Sequence, residues 1–377
     1  MSGRGGPVRR AWRAVVAVLP QWAVARVIVL GALGLAHLVV DRAHPTAATA
    51  FRVHQGLLGW DAGWYESIAQ FGYRQEQSLR FFPLFPLAGR ALSVLPGVSA
   101  GVALVVLANL SALVATALLR VLVLKESGDR GWADRSVWLL SVAPPAFVLV
   151  MGYAEGLLLA LCVGCFVVIR SARSPWAWGW AAVLGAAAGL TRPLGVLLVL
   201  PVAIEAARRW RSAGNGERVA SAVAVVGPVA GGGAFLAWSA AAKGDGWAPL
   251  RVQTQAGHHG GLSDPFRTLV HDASGVVHHH FGTALHVPWV ILVVALLVVC
   301  WRRLPASYGA FATAVALVAV TGTNLDSFER YALSAFPLVM AAASLTSRPR
   351  VERCVVVLAA AGMAGYAVMA FLNLSVP

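Results

Sequence analysis

Long apolar runs recur along nearly the whole of this sequence, and they constrain the fold more than any other feature. Each run is long enough, or nearly so, to cross the ~30 Å hydrocarbon core of a bilayer as a helix. The runs cover residues 20–40, 100–124, 136–151, 156–170, 176–190, 193–207, 219–242, 284–301, 306–322, 331–346 and 354–373. A backbone in lipid must satisfy its own hydrogen bonds. The runs therefore predict an all-α polytopic membrane protein with about 11 transmembrane helices, forming a single membrane domain over residues 1–377.

The composition excludes an ordinary soluble protein. Hydrophobic residues make up 58% of the 377 residues and charged residues only 12%, which leaves too few charges to cover a globule of this size. The formal net charge of +14 would suit a nucleic-acid partner, but membrane topology explains it without one. The basic residues are mostly arginine, which is typical of a bacterial protein from a GC-rich genome. The first apolar run is too long for the core of a signal peptide and predicts a retained span.

The positive-inside rule gives the orientation. Residues 81–97, FFPLFPLAGRALSVLPG, are apolar enough for a twelfth span but contain three prolines and Arg90. If this segment lies along the outer surface, most of the 30 basic residues fall on the cytoplasmic side with the N-terminus. The sequence therefore predicts a plasma-membrane protein whose outer face carries two long loops, residues 41–99 and 244–286. The outer face also collects most of the acidic and histidine residues, so the chemistry is predicted there.

The first outer loop contains the segment GLLGWDAGWYESIAQFGYR, residues 56–74. On a helix, Trp60, Trp64, Ile68 and Phe71 form one apolar stripe, which predicts a juxtamembrane helix lying in the membrane interface. Asp61, which directly follows Trp60, is the predicted N-cap of this helix. Glu66 follows Asp61 by five residues, about 140° around the helix axis, so the two carboxylates are not predicted to act as a pair.

An outer-face enzyme needs an activated donor that resides in the membrane, because nucleotide sugars and ATP are confined to the cytoplasm. The sequence has no phosphate-binding loop after a strand, and the glycine cluster GPVAGGG (227–233) lies in an apolar run, where it predicts close helix packing. A polyprenyl-phosphate sugar fits these conditions. Its transfer needs a carboxylate to take the acceptor proton, for which Asp61 is the candidate. It also needs guanidinium groups for the lipid phosphate, for which Arg192 and Arg330 are the candidates.

Each candidate also has a purely structural interpretation. Asp61 could only cap its helix, and Arg192 could only bind carbonyl groups at the helix break before Pro193. Glu155 is a candidate for binding sugar hydroxyls or for holding one of the arginines, or else it caps the helix that follows. Glu329 is a second candidate for contacts with sugar or acceptor, and its alternative is a local surface pair with Arg330.

The histidines cluster in the second outer loop. The pairs and triplets HH (258–259) and HHH (278–280) do not have the spacing of metal ligands, because adjacent side chains point apart and no H-x-x-x-H motif is present. No metal and no cofactor are therefore predicted. His258 and His259 are instead candidates for contact with a phosphate or with the acceptor.

Five ordered blocks resemble the PIG-V type mannosyltransferases. They are WDAGWYESIAQFGY, FFPLFPL, PPAFVLVMGYAEGLLLALC, GAAAGLTRPLGVLLVLP and ERYALSAFPL, between about residues 56 and 340. The resemblance implies a GT-C glycosyltransferase with juxtamembrane helices in a catalytic outer loop (41–99), which transfers mannose from a polyprenyl-phosphate donor with inversion. It places the essential acidic residue at Asp61 and an arginine at Arg192. The family's Y-S-E block reads Tyr153, Ala154 and Glu155 here.

The resemblance implies a sugar or acceptor site built from aromatic and acidic side chains of these blocks. The candidates from these blocks are Trp60, Trp64, Tyr65, Glu66, Tyr153, Glu155 and Glu329, and they join His258 and His259 of the second outer loop. The acceptor would be a glycan, a glycolipid or a protein. Many exported GT-C enzymes have two adjacent acidic residues in this loop, whereas Asp61 is followed by Ala62, so a metal bridged by an acidic pair is not expected.

Two other classes of function are compatible with a multi-pass protein. A lipid or glycan transporter (flippase) would show two halves with matching interrupted helices, but the long outer loop after the first run has no later counterpart. An accessory subunit without chemistry would not need so many ionisable residues on one face. The sequence favours the glycosyltransferase.

Overall fold

The computed structural model describes residues 7–43, 45–255, 263–264, 268, 286–322, 325 and 327–374. The regular elements in these ranges are α-helices joined by short 3-10 turns. In chain order the helices are α1 (Pro7–Val16), α2 (Leu19–Ala43), α3 (Ala47–Gln55), α4 (Asp61–Phe71), α5 (Leu84–Leu92), α6 (Ala100–Ser127), α7 (Arg130–Val142), α8 (Glu155–Ile169), α9 (Pro175–Thr191), α10 (Val199–Arg209), α11 (Asn215–Lys243), α12 (Ala248–Gln253), α13 (His286–Arg303), α14 (Ala306–Val320), α15 (Phe328–Ser334), α16 (Phe336–Leu345) and α17 (Pro349–Phe371). The predicted all-α class is confirmed for the described residues.

Five of the described helices are long and apolar enough to cross a bilayer, namely α2, α6, α11, α13 and α17. The apolar helices α8, α14 and α16 are shorter, with 10 to 17 residues. Most predicted runs coincide with one helix or with a helix and its neighbouring turn, whereas the run 331–346 covers the end of α15 and all of α16. These helices support a multi-pass membrane protein, and the number of crossings stays a prediction.

Prolines interrupt three of the predicted runs, those that begin at residues 136, 193 and 331. The 3-10 turns Pro144–Leu149 and Pro193–Leu198 follow α7 and α9, and α15 ends three residues before Pro337. Proline lacks a backbone N–H and clashes with the preceding helical turn, so a helix that meets it ends or bends. These three runs are therefore not continuous helices, and Glu155, Arg192 and Arg330 lie beside the interruptions.

The helix α4 differs from its prediction at both its start and its surface. Its N-cap is Trp60, and Asp61 is its first residue. The predicted capping role of Asp61 is wrong because its carboxylate contacts arginines from other parts of the chain. The predicted stripe is not one lipid-facing surface either, since Ile68 is buried in the protein while Phe71 is exposed. The helix is held by packing against α5 and α6.

The proline-containing segment 81–97 forms only one short helix, α5. Its nine residues extend roughly 14 Å at 1.5 Å per residue, less than half of the hydrocarbon core. A Cβ at Gly89 would lie 2.4 Å from Leu104 Cδ2, so the two helices approach closely because this position is glycine. This geometry agrees with a segment that does not cross the membrane.

The glycine cluster in α11 packs closely against α9, as predicted. A Cβ at Gly231 would lie 2.0 Å from the carbonyl oxygen of Ala186, and a Cβ at Gly189 would lie 2.2 Å from that of Pro228. Only glycine permits these backbone contacts. They fix the position of the C-terminal end of α9, which Arg192 directly follows.

Candidate active site

The carboxylate of Asp61 lies at the centre of a group of arginines. Arg330 Nη1 donates to Asp61 Oδ2 at 2.6 Å, and Arg80 Nη2 lies 3.6 Å from Oδ1. The backbone N–H of Asp61 donates to the hydroxyl of Tyr153 at 3.3 Å. The side chain of Asp61 is 19% exposed. It is therefore mostly enclosed by the protein, but it still reaches the cavity described below.

These charges decide the protonation state of Asp61. Burial acts to raise the pKa of its carboxyl, but the charges of Arg330, Arg80 and Arg192 and the hydrogen bond from Arg330 outweigh burial. The pKa of Asp61 therefore lies below the ordinary value. Asp61 is ionised near neutral pH, and it is a weak base as long as Arg330 is bound to it.

Backbone strain accompanies both members of this ion pair. Trp60, directly before α4, has a φ of 58°, and Ser327, directly before α15, has a φ of 68°. Non-glycine residues in this region cost about 1–3 kcal/mol each and are concentrated at functional sites. The strained residues precede the two helices that carry Asp61 and Arg330.

Glu155 contacts both of the arginines that are predicted to bind the lipid phosphate. Its side chain is 1% exposed, its Oε1 accepts a hydrogen bond from Arg192 Nη1, and Arg330 Nε lies 3.2 Å from the same oxygen. Glu155 is the first residue of α8. Arg192 directly follows the last residue of α9, and Pro193 comes next and prevents the helix from continuing. One buried carboxylate thus orients two guanidinium groups.

A cavity of about 630 Å³ opens beside these residues. It is large enough for a sugar with a phosphate group. Its walls consist of Phe51, Arg52, Gln55, Trp60, Asp61, Gly63, Trp64, Tyr65, Ser67, Gln75, Arg80, Phe81, Phe82, Arg192, Pro193, Gln253, Ser327, Arg330 and Tyr331. Among these lining residues, Asp61 is the acidic side chain and the four basic side chains are arginines.

Aromatic rings form a large part of the cavity wall. Trp64 stacks on Phe81 with ring centroids 6.0 Å apart, and Arg80 lies over the Phe81 ring at 4.6 Å. Tyr65 is buried and meets Phe81 edge to face at 4.9 Å. Trp60 donates its indole N–H to the carbonyl oxygen of Ala370. Flat apolar walls with a few charged groups suit the binding of sugar rings.

The structure brings together six of the predicted site residues at this cavity and places others elsewhere. Trp60, Asp61, Trp64, Tyr65, Arg192 and Arg330 line the cavity, whereas Glu66, Tyr153, Glu155 and Glu329 do not. Glu66 bonds to Gln70 on the same helix at 3.2 Å, on a face of α4 away from Asp61, as predicted from their spacing. Tyr153 and Glu155 lie behind the cavity wall and contact residues that line it.

Glu329 points away from its neighbour Arg330. Its Oε1 lies 2.7 Å from His286 Nδ1, and both side chains are buried. Consecutive residues of a helix project in directions about 100° apart, so only one of the two reaches the cavity. The predicted surface pair of Glu329 with Arg330 is wrong, because Arg330 bonds instead to Asp61 and Ser327.

Two of the predicted contact residues, His258 and His259, lie outside the described residues. Within the described ranges, His, Cys, Asp and Glu side chains do not gather in groups of three or more that could hold a metal ion. The independence from metal stays a prediction.

Several cavity residues were not among the predicted site residues. Arg80 directly precedes the FFPLFPL block, and Arg52 lies one helix before the WDAGWYESIAQFGY block. A useful signal was present, since both are arginines of an outer loop that was predicted to be catalytic. Tyr331 directly follows Arg330 in the ERYALSAFPL block, whereas Gln253 gave no such signal, because its position at the cavity depends on tertiary packing.

Part of the chain is similar to a known protein family. Residues 35–202 match the family model described as Mannosyltransferase (PIG-V), a range that includes Asp61, Glu155 and Arg192. No curated protein sequence matches the chain. A crystal structure of the Archaeoglobus fulgidus oligosaccharyltransferase complex with zinc and sulfate is similar at 12% identity and a TM-score of 0.42. That match covers 83% of this chain and 48% of the other, so this chain spans about half the length of that protein.

The family match covers less than half of the chain, and the long apolar helices support a multi-pass membrane protein. The predicted resemblance to the PIG-V mannosyltransferases is confirmed over residues 35–202. The matched range includes the end of α2, the first outer loop and the helices up to α10. Arg330 reaches the site from outside this range.

Proposed function

We propose that the protein is an inverting GT-C mannosyltransferase, which moves a mannosyl or related hexosyl residue from a polyprenyl-phosphate donor to a hydroxyl group of a glycan, a glycolipid or a protein. The main support is the convergence of one carboxylate, Asp61, and two guanidinium groups, Arg192 and Arg330, on one cavity. An acceptor hydroxyl needs a base, and a departing lipid phosphate needs cations. A transporter of a lipid phosphate would also need the cations, but it would not need the base, so Asp61 is the residue that favours transfer chemistry.

The reaction in this proposal is a single displacement. Asp61 takes the proton of the acceptor hydroxyl while the acceptor oxygen forms a bond to the anomeric carbon. The bond from that carbon to the phosphate oxygen breaks, and its electron pair leaves with the polyprenyl phosphate. Because attack and departure occur on opposite faces, the anomeric configuration inverts. The lipid phosphate gains one negative charge, which Arg192 and Arg330 stabilise.

The ion pair between Asp61 and Arg330 makes the base dependent on the donor. At 2.6 Å, Arg330 cannot bind a phosphate fully without weakening its bond to Asp61. A donor phosphate that takes Arg330 would therefore raise the pKa of Asp61 toward that of a useful base. Asp61 is thus activated when the donor is in place, which limits proton abstraction from water in the empty enzyme.

Glu155 has a positioning role in this scheme. It is buried behind the cavity wall and contacts both Arg192 and Arg330, so it holds the two guanidinium groups close to each other. The prediction that Glu155 holds an arginine is supported by these contacts, whereas direct contact between Glu155 and a sugar would require the arginines to move.

We further propose that this site faces the outside of the plasma membrane and that the N-terminus is cytoplasmic. Val94, which follows α5, is 82% exposed, and Ser212 lies in an exposed segment that is predicted to be cytoplasmic. In a protein whose own exposed Cys354 is replaced by serine, Val94→Cys should react with an impermeant thiol reagent in intact cells. Ser212→Cys should react only after lysis. The reverse pattern would contradict the proposed orientation.

The donor is tested with the purified protein in nanodiscs. Polyprenyl-phosphate mannose, polyprenyl-phosphate glucose and a polyprenyl-phosphate pentose are supplied separately with membrane glycolipid extract as the acceptor source, and the consumption of each donor lipid is measured. We expect consumption of the mannose donor with release of polyprenyl phosphate and formation of an α- or β-linkage opposite to that of the donor. Retention of configuration, or movement of the lipid between leaflets without cleavage, would contradict the proposal.

A further inference from the structure

The cavity wall contains an arginine, Arg52, whose polar contacts within the described residues are all neutral. Arg52, on α3, donates from Nη1 to Gln55 Oε1 at 2.8 Å and from Nε to Asn373 Oδ1 at 3.4 Å. Its guanidinium lies over the indole of Trp60, 4.0 Å from the ring centroid. These contacts use two of its N–H groups and hold the planar side chain in place at the cavity.

Arg52 differs from the two arginines of the proposed donor site in the charge of its partners. Arg192 and Arg330 are bound to the carboxylates of Glu155 and Asp61. The described polar partners of Arg52 are amide side chains and carry no charge. Burial lowers the pKa of Arg52, and Tyr153 acts weakly in the opposite direction. A partly desolvated cation without a carboxylate partner is unfavourable, and an anionic ligand would compensate for it.

The donor does not provide that anion if it binds as proposed. A polyprenyl-phosphate sugar carries one phosphodiester charge, which the proposed function places at Arg192 and Arg330. The other substrate that enters the cavity is the acceptor. Its attacking hydroxyl must reach Asp61, and Arg52 stacks on Trp60, the residue directly before Asp61. Arg52, Trp60 and Asp61 line the same cavity, so a group bound by Arg52 would lie in the cavity that contains the base.

We propose that Arg52, Gln55 and the indole of Trp60 form a subsite for an anionic group of the acceptor, a phosphate or carboxylate carried by the acceptor saccharide. The inference rests on the proposed function and makes the acceptor class more specific. Charge-assisted hydrogen bonds from a guanidinium bind such a group, and the flat indole contacts the sugar ring beside it. The enzyme then selects acidic glycans or phosphoglycans over neutral ones.

The test compares two acceptors that differ only in charge, an oligomannoside and the same oligomannoside with one phosphate monoester. We expect the KM for the phosphorylated acceptor to be about tenfold lower with the wild-type enzyme, as the loss of one charge-assisted hydrogen bond would suggest. Arg52→Gln should remove that difference and leave the KM for the donor unchanged, and Arg52→Lys should restore part of it. Arg90→Gln, at an exposed arginine of the same outer loop, is the matched control and should retain the preference.

A binding measurement without donor separates this inference from the proposed function. The phosphorylated oligomannoside is titrated calorimetrically into the enzyme in phosphatidylcholine nanodiscs. We expect binding to the wild-type enzyme, and Arg52→Gln should weaken this binding about tenfold. If this binding is present but no mannose is transferred, the subsite stands and the proposed function fails. Equal binding by both proteins, or a raised donor KM in Arg52→Gln, would overturn the subsite. Full competition by phosphatidylglycerol would assign Arg52 to lipid headgroups and overturn the acceptor assignment.

Discussion

The pH dependence of the reaction provides a detailed test of the contact between Asp61 and Arg330. In the free enzyme the pKa of Asp61 is lowered by its arginine neighbours. In the donor complex, the phosphate shares Arg330, so the pKa of Asp61 should rise. Since Asp61 must be ionised to accept a proton, activity falls as the pH drops through its pKa. The acid limb should therefore lie at higher pH in the donor complex than in the free enzyme.

The size of this displacement follows from the bond that is weakened. A hydrogen bond between charged groups such as the 2.6 Å contact of Arg330 with Asp61 contributes about 1.5–3 kcal/mol. One pH unit corresponds to about 1.4 kcal/mol. Partial or complete loss of the bond should move the acid limb by about one to two pH units. Arg80, at 3.6 Å, remains near Asp61 and limits the shift.

The assay measures steady-state transfer from about pH 3 to pH 8, because the acid limb of the free enzyme lies below the ordinary carboxyl pKa of about 4. The profile of kcat/KM for the donor reports the free enzyme, and the profile of kcat reports the complex. Acid limbs at the same pH in both profiles would refute the coupling between donor and base. A kcat limb at lower pH would show that the donor leaves Arg330 bound to Asp61 or strengthens the pair.

Three further predictions concern other parts of the structure. Arg192→Ala should raise the donor KM by about tenfold or more, and Arg192→Lys should do so less, because a point charge replaces a planar fork; an unchanged donor KM would place the phosphate elsewhere. Glu155→Gln should weaken donor binding and leave the acceptor KM unchanged, since the described ionic partners of Glu155 are Arg192 and Arg330, and equal losses for both substrates would contradict a positioning role. Gly231→Ala should lower the free energy of unfolding by about 1–3 kcal/mol, whereas Gly233→Ala, where a Cβ meets nothing within 4 Å, should not.

Much of the fold follows from local sequence patterns. The lengths of the apolar runs predict the long helices, and the charge distribution predicts that the segment containing α5 does not cross the membrane. The glycines of α11 predict close helix packing, but they do not show that the partner is α9. The interrupted helices were less predictable, because a proline marks a break without showing whether the next turn is a 3-10 turn, as at Pro193, or a new helix, as at Phe336.

The candidate site was predictable where a residue belongs to a recognisable block. Asp61, Arg192 and Arg330 were identified from chemistry and resemblance, and the structure places all three at one cavity. Their pairing was not predictable, since Asp61 and Arg330 are far apart in the sequence and meet only through tertiary packing. The role of Arg52 could not be inferred for the same reason, because its partners Trp60 and Asn373 come from two different parts of the chain.

The central claim is that Asp61 is the base of a mannosyl transfer. Asp61→Asn keeps the shape of the side chain and an oxygen that can accept from Arg330, but it removes the proton-accepting charge. The measurement is mannosyl transfer from purified polyprenyl-phosphate mannose by this variant, with donor binding and thermal unfolding measured on the same preparation. We expect donor binding and folding to persist while transfer falls by about two to four orders of magnitude, the usual contribution of a general base. Transfer at the wild-type rate would remove Asp61 from the mechanism.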